Sequence, residues 1–260
     1  MPGLITIREL NSIGRFGNKC FLYVFSKAYA RAHGAQLLVP YWEGCKLFIN
    51  ATEELITDKT PILPQTECDN VTKRPLNRWF GKVDLDIRVF AQSQCYIDYM
   101  TRPMCREFLK LKDTWELYSP SAQGKPPYSA MHIRRGDYVT PEFRDRYCEV
   151  SEDSYKRAIK EFDIPKPVIR VSEEMSQPPD NWPDPQLAWL PDFLLLRDAA
   201  HLLRANSSFS WWASVLGYGK TYSPVVGKLV GLQDVPFIES NSPTTAGVFS
   251  NQSDLNLKEE

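Results

Sequence analysis

Apolar residues fall in short runs along the chain, and their spacing predicts alternating strands and helices. Leu4–Ile7 is a β-branched run, followed by a glycine-bearing turn over Ile13–Asn18. Lys19–His33 then reads as a helix, with Gly34 just past its end and Lys27, Arg31 and His33 near the negative pole of its dipole. Gln36–Val39 follows as a strand, so the chain opens like a doubly wound α/β domain. The stretch Tyr41–Gly124 holds Trp42, Trp79 and Trp115, an alternating segment over Val83–Phe90, and a helical pattern over Met100–Leu111 with Pro103 near its start. Ser, Gly and Pro cluster over Ser119–Pro127, which predicts a linker. Beyond it, Tyr128–Ile133 reads as a strand. Ser151–Phe162 is a helix with Ser151 as N-cap and Glu152 and Asp153 in the first turn, and Val168–Ser172 is a strand. Gln177–Pro191 is rich in proline and carries Trp182 and Trp189, a loop or extended wrap. Asp192–Ala199 then reads as a helix, Leu202–Ala205 as a strand and Phe209–Leu216 as a helix. From Glu239 onward the polar composition predicts a loosely held tail. The expected organisation is two doubly wound units in series, 1–123 and 124–240, with a tail over 241–260.

Composition narrows the class. Of 260 residues, 43% are hydrophobic and 24% charged, which excludes a disordered or collagen-like chain. Basic and acidic residues balance at 31 against 32, so the surplus of Lys and Arg that a nucleic-acid binder needs is missing. A phosphate site must therefore be local. The longest apolar run, near Cys20–Phe25, falls far short of the ~20 residues that a bilayer demands. Met1-Pro2-Gly3-Leu4 lacks the basic and apolar stretches of a secretory signal, so a soluble, cytoplasmic protein is expected. Without secretion the sequons at Asn50, Asn70, Asn206 and Asn251 carry no information. The 6 cysteines (Cys20, Cys45, Cys68, Cys95, Cys105, Cys148) show no C-x-x-C spacing and read as buried or free thiols.

Three segments carry the chemistry. Gly14-Arg15-Phe16-Gly17-Asn18 lies between a strand and a helix, where glycine lets the backbone approach a ligand and the helix offers its N–H groups. The bland alternative is a tight turn. His132-Ile133-Arg134-Arg135-Gly136-Asp137 ends a strand, the place where open α/β sheets bind ligands. One guanidinium can face phosphate while its neighbour packs or pairs, with Asp137 the nearest acid. The plain reading is a surface ion pair on a turn. Asn206-Ser207-Ser208-Phe209-Ser210 precedes Trp211-Trp212, and hydroxyls at a helix start make a neutral anion cradle. Ordinary capping by Asn206 or Ser208, with both tryptophans in the core, explains the same residues.

Taken in order, Gly-Arg-Phe-Gly-Asn-Lys, His-Ile-Arg-Arg-Gly-Asp-Tyr and Asn-Ser-Ser-Phe-Ser-Trp-Trp-Ala resemble the α-1,2-fucosyltransferase family, within the wider α-1,2/α-1,6/protein O-fucosyltransferase superfamily. The resemblance runs from Gly14 to about Gly217 and implies a GT-B architecture, two Rossmann-like domains facing across a cleft. It implies inverting transfer of fucose from GDP-fucose to a glycan acceptor, α-1,2 to galactose, with no metal or other cofactor. By the same likeness, Arg134 grips the β-phosphate, His132 lies beside the guanosine and Ser208, Phe209 and Ser210 form the diphosphate loop. Asn18 and Gly17 face the donor sugar. Glu142 stands at the spacing of the catalytic Glu of the α-1,6 relatives, and Asp137 is a further acid beside it. Where the family has Ser-Asp-Asp, this chain has Ser172-Glu173-Glu174.

Two other readings remain open. Asp84-Leu85-Asp86 has the D-x-D spacing of metal-dependent nucleotide-sugar transferases, a pattern common by chance. With 3 histidines and no H-x-x-x-H pair, a zinc site is disfavoured. A nucleotide-sugar-binding module without turnover is the non-enzymatic alternative.

Overall fold

The computed structural model describes residues 2–51, 55–66, 81–173 and 178–240. The expected tail at 241–260, together with Cys68, Asn70, Trp79, Glu174 and Asn251, lies outside them. The described chain divides into two compact units, one ending at Lys112 and the other beginning at Asp113.

The first unit is built on strands β1 (Leu4–Thr6), β2 (Gln36–Leu38) and β3 (Leu85–Asp86), ordered β2-β1-β3 and all parallel. Helix α1 (Phe16–Ala32) connects β1 to β2, and the short helices α2 (Glu43–Leu47), α3 (Gln94–Ile97) and α4 (Arg102–Phe108) complete the unit. α1 starts three residues before the Lys19 expected from the pattern, at Phe16. Gly14 takes φ 97° just ahead of it, so the turn is compressed into Gly14 and Arg15. The helix is apolar nearly all round, so it is a core helix. Phe21, Leu22, Phe25 and Tyr29 are fully buried, and the Phe25 and Tyr96 rings meet edge-on at 4.9 Å. α4 confirms the helix expected around Pro103, trimmed to seven residues with Thr101 accepting from the Met104 N–H as its cap.

The second unit opens with α5 (Asp113–Glu116) and then lays down β4 (Ser129–Ile133), α6 (Pro141–Arg144), β5 (Cys148–Val150) and α7 (Glu152–Glu161). After these come β6 (Val168–Ser172), α8 (Leu190–Arg197), β7 (His201–Leu203), α9 (Ser208–Leu216), β8 (Lys220–Pro224), β9 (Gly231–Gln233) and β10 (Phe237–Ser240). Five strands form one sheet in the order β10-β8-β7-β4-β6, parallel except for β10. β5 and β9 make a separate parallel pair. α7 begins as expected, with the Ser151 hydroxyl accepting from the Ser154 N–H, and buries Ser154, Tyr155 and Ala158 on one face. Tyr155 and Ala158 pack with Ile133, Leu203, Tyr222 and Phe237 into the core.

Several expectations need correcting. Pro191 belongs to the first turn of α8, where a missing N–H costs nothing, so the proline-rich stretch ends earlier than expected. Within that stretch Pro185–Leu187 forms a 3-10 turn capped by Asp184. The start of the expected tail, Glu239 and Ser240, is strand, paired with Tyr222 and Thr221 of β8. Pro141–Arg144, a stretch to which the pattern assigns no element, is one helical turn.

Candidate functional site

In the second unit the chain leaves β4 toward β6 on one side and leaves β7 toward β8 on the other. β4 and β7 are neighbours, so their carboxyl ends flank the point where strand order reverses. That is where open parallel sheets leave a crevice for ligands. The His132–Asp137 segment follows β4 and the Asn206–Ser208 segment follows β7, so two of the three expected segments converge there. Tyr138 links them, its hydroxyl donating to the Asn206 carbonyl at 2.9 Å. The His132 and Phe209 rings sit 5.6 Å apart. Ser172 closes the neighbouring strand, in register with Ile133, and is buried.

His132 lies on a central strand and is 3% exposed. Burial, reinforced by the charges of Arg134 and Arg204, pushes its pKa down to about 3, so the ring is neutral at ordinary pH. The Tyr155 hydroxyl holds the His132 carbonyl at 2.8 Å. His132 Nδ1 and Asn206 Oδ1 are buried without a hydrogen-bond partner among the described residues. Such atoms are costly unless a ligand or water meets them. The amide of Asn206 donates to the Cys148 carbonyl at 3.0 Å, which fixes its orientation.

Both arginines of the motif are paired. Arg135 bonds Glu149 at 2.6 Å and the Val150 carbonyl at 3.2 Å, which ties the loop to β5. Arg134 pairs with Asp137 through Nη2 and with Glu173 through Nη1. The expected split, one arginine toward phosphate and the other on Asp137, is therefore corrected: Arg134 itself holds Asp137. Its guanidinium also lies 5.1 Å from the centre of the Tyr138 ring.

The α9 N-terminus is capped by Ser207, whose hydroxyl accepts from the Phe209 N–H at 3.2 Å; neither Asn206 nor Ser208 serves as cap. Ser208 is half-buried at the opening of the helix. The Ser210 hydroxyl is fully buried and directed at the Ala205 and Ser207 carbonyls, so it faces the protein rather than the crevice. Phe209 packs edge-on against Phe193 and Trp189 at 5.3 and 5.9 Å. Trp211 and Trp212 are core residues.

The Gly14–Asn18 segment lies in the first unit, beyond the carboxyl end of β1. There too strand order reverses, between β1 and β3. Gly14 and Arg15 are exposed, Phe16 and Gly17 buried, and Asn18 accepts from the Gln92 amide at 2.9 Å. Asp84 and Asp86 also belong to this unit. Asp84 Oδ1 accepts from the Leu4 N–H at 2.9 Å, and the buried Asp86 accepts from the Thr6 hydroxyl at 2.7 Å and the Arg8 N–H at 3.0 Å. These bonds stitch β3 to β1, a structural use for the D-x-D. Among the described residues no cluster of three or more His, Cys, Asp or Glu is placed to hold a metal, and no helix is long and apolar enough to cross a membrane.

Glu142 stands on α6, exposed to solvent, in the same loop that carries Arg134 and Asp137. Two residues that shape these crevices escaped the sequence reading as site residues, Tyr138 and Gln92, and so did the pairing of Glu173 with Arg134. Tyr138 sits inside the quoted His-Ile-Arg-Arg-Gly-Asp-Tyr run and was within reach. Gln92 lies in a stretch with no pattern to single it out.

No protein-family model matches the sequence, and no curated protein matches it. Solved structures do share its fold. The selenomethionine crystal structure of the fucosyltransferase NodZ from Bradyrhizobium aligns with a TM-score of 0.54 at 14% identity, over 92% of this chain and 99% of that one. NodZ α-1,6-fucosyltransferase co-crystallized with GDP gives 0.53 at 14% identity, over 92% and 99%. The crystal soaked with GDP-fucose gives 0.50 at 15%, over 92% and 100%. This chain has a fucosyltransferase-like α/β fold.

Proposed function

We propose that the chain is an inverting, GDP-fucose-dependent fucosyltransferase acting on a glycan hydroxyl, with the 2-hydroxyl of galactose as the acceptor the sequence motifs favour. The observation that carries this reading is the meeting of His132–Asp137 and Asn206–Ser208 at the strand-order reversal of the second unit. Its support is the shared fold with NodZ, whose crystals hold GDP or were soaked with GDP-fucose. On this reading the two units are the halves of a GT-B enzyme and the second is the donor side. Asn18 and Gly17 would then serve the donor sugar from the first.

The chemistry follows from charge. The acceptor oxygen attacks C1 of fucose, the C1–O bond to the β-phosphate breaks, and its electron pair stays on the diphosphate. Negative charge therefore grows on the leaving group, and donors placed there bind the transition state more strongly than the ground state. Arg134 and the opening turn of α9 supply such donors. His132 Nδ1 and Asn206 Oδ1 offer polar atoms to the nucleoside. The acceptor proton passes to a carboxylate, for which Glu142 is proposed, because Asp137 is held by Arg134. Donors from the guanidinium and the helix N–H groups are the reason no metal is expected here.

The test is GDP release from GDP-fucose with and without a panel of glycan acceptors, in buffer with and without EDTA. Linkage analysis of the product separates α-1,2 from α-1,6 transfer. Acceptor-dependent release that survives EDTA is expected. GDP binding without release would leave a binding module. A rate lost with EDTA and with Asp84→Asn would move the chemistry to the D-x-D.

A further inference from the structure

Arg134 meets the crevice already holding two carboxylates, and together they outweigh its charge. A diphosphate approaching that trio meets the wrong sign. The two acids are not equivalent. Asp137 is three residues away in the same turn and travels with Arg134. Glu173 comes from the end of β6 and reaches across the backbone at Gly136 to the other side of the guanidinium fork. Gly136, at φ 42°, makes that reach possible: a Cβ there would land on the Glu173 carboxylate. The Arg134 side chain is only 12% exposed against 34% for Glu173, so the acid is the solvent-side partner that can leave.

Building on the donor reading above, we propose that Glu173 is a positioning residue that holds the Arg134 fork while the donor site is empty, yields it to the β-phosphate, and takes it back as the nucleotide departs. Exchange of one anion for another spares the half-buried guanidinium an unpaired state in either condition. Asp137 and the Tyr138 ring keep the fork oriented during the exchange. Because the nucleotide must displace Glu173, its apparent affinity is lowered by the fraction of molecules in which the fork is available.

Calorimetric titration with GDP and with GMP, which lacks the β-phosphate, tests this in the wild type and in Glu173→Gln. The Gln variant should bind GDP about tenfold more tightly and bind GMP as the wild type does. Glu173→Ala, which removes the carboxylate from the fork outright, should shift GDP affinity in the same direction. It decides the matter if the thermal transition shows the Gln variant unfolded. Unchanged or weaker GDP binding, or equal tightening of GMP, overturns the exchange. If wild-type GDP binding is lost in Arg134→Ala yet indifferent to Glu173→Gln, the exchange fails alone. If the wild type does not bind GDP at all, the donor reading fails with it.

Discussion

If Arg134 grips the diphosphate as proposed, it does so with a planar fork, and a lysine ammonium offers a single point charge in its place. Arg134→Lys should therefore cut kcat/KM for transfer by about 100-fold or more while the thermal transition stays near wild type. Near-normal turnover would remove Arg134 from the reaction. Glu142, as the proposed base, would act in the transfer step and not in nucleotide binding. Glu142→Gln should lower kcat and erase the acidic limb of the pH–rate profile with GDP affinity intact. An unchanged profile would make Glu142 a solvated carboxylate. His132 leaves its mark on stability. Its folded pKa, about 3, lies below that of an unfolded imidazole, so the unfolded chain takes up the proton first as pH falls. The contribution is complete above the ordinary imidazole range and drains away below it, by roughly 1.4 kcal/mol per pH unit. Urea titrations from pH 7 to pH 4 should show wild type losing stability more steeply than His132→Gln by that amount. Parallel curves would mean the ring is protonated in the fold.

At the level of elements, the proposed anion cradle and the stability of α9 would share one residue. Ser207 caps the helix through the Phe209 N–H, so Ser207→Ala should cost about 1 kcal/mol in urea unfolding and also weaken GDP binding. Loss of stability with unaltered GDP binding would show the cap to be structural alone. Hydroxyls at a helix start suit both uses, so the sequence could be read both ways there. Elements with strong local signals were legible: α7 through Ser151 and its acidic first turn, β6 through its β-branched run, α9 through hydroxyls before apolar residues. Short elements were not. β5 and β9 are three residues each and exist because they pair with one another, a contact no local pattern announces. α6 is a single turn started by Pro141, which reads equally well as a loop. The same limit hid the pairing of Glu173 with Arg134: each follows a different strand, and only the sheet register of β4 with β6 brings the two together.

For the molecule as a whole, the question is where a nucleoside diphosphate leaves its footprint. Each unit has its own strand-order reversal, with a glycine-opened loop beyond β1 in the first and the arginine and serine segments beyond β4 and β7 in the second. The means of meeting anionic charge are uneven between them. The second combines a guanidinium, a capped nine-residue helix start and buried, unsatisfied polar atoms, whereas the acids of the first are committed to joining β3 to β1. A ligand that binds only the native state stabilises what it touches, by RT ln(1 + [L]/Kd), about 2.7 kcal/mol at a hundredfold excess over Kd. Amide hydrogen exchange reads that stabilisation segment by segment. GDP alone should therefore slow exchange in peptides spanning 132–143 and 204–212 and leave 13–19 nearly as it was. GDP-fucose should extend protection to 13–19 if Asn18 and Gly17 serve the donor sugar. Protection by GDP centred on 13–19, with 132–143 and 204–212 unaffected, would reverse the assignment of the donor side and take Arg134 out of the diphosphate site.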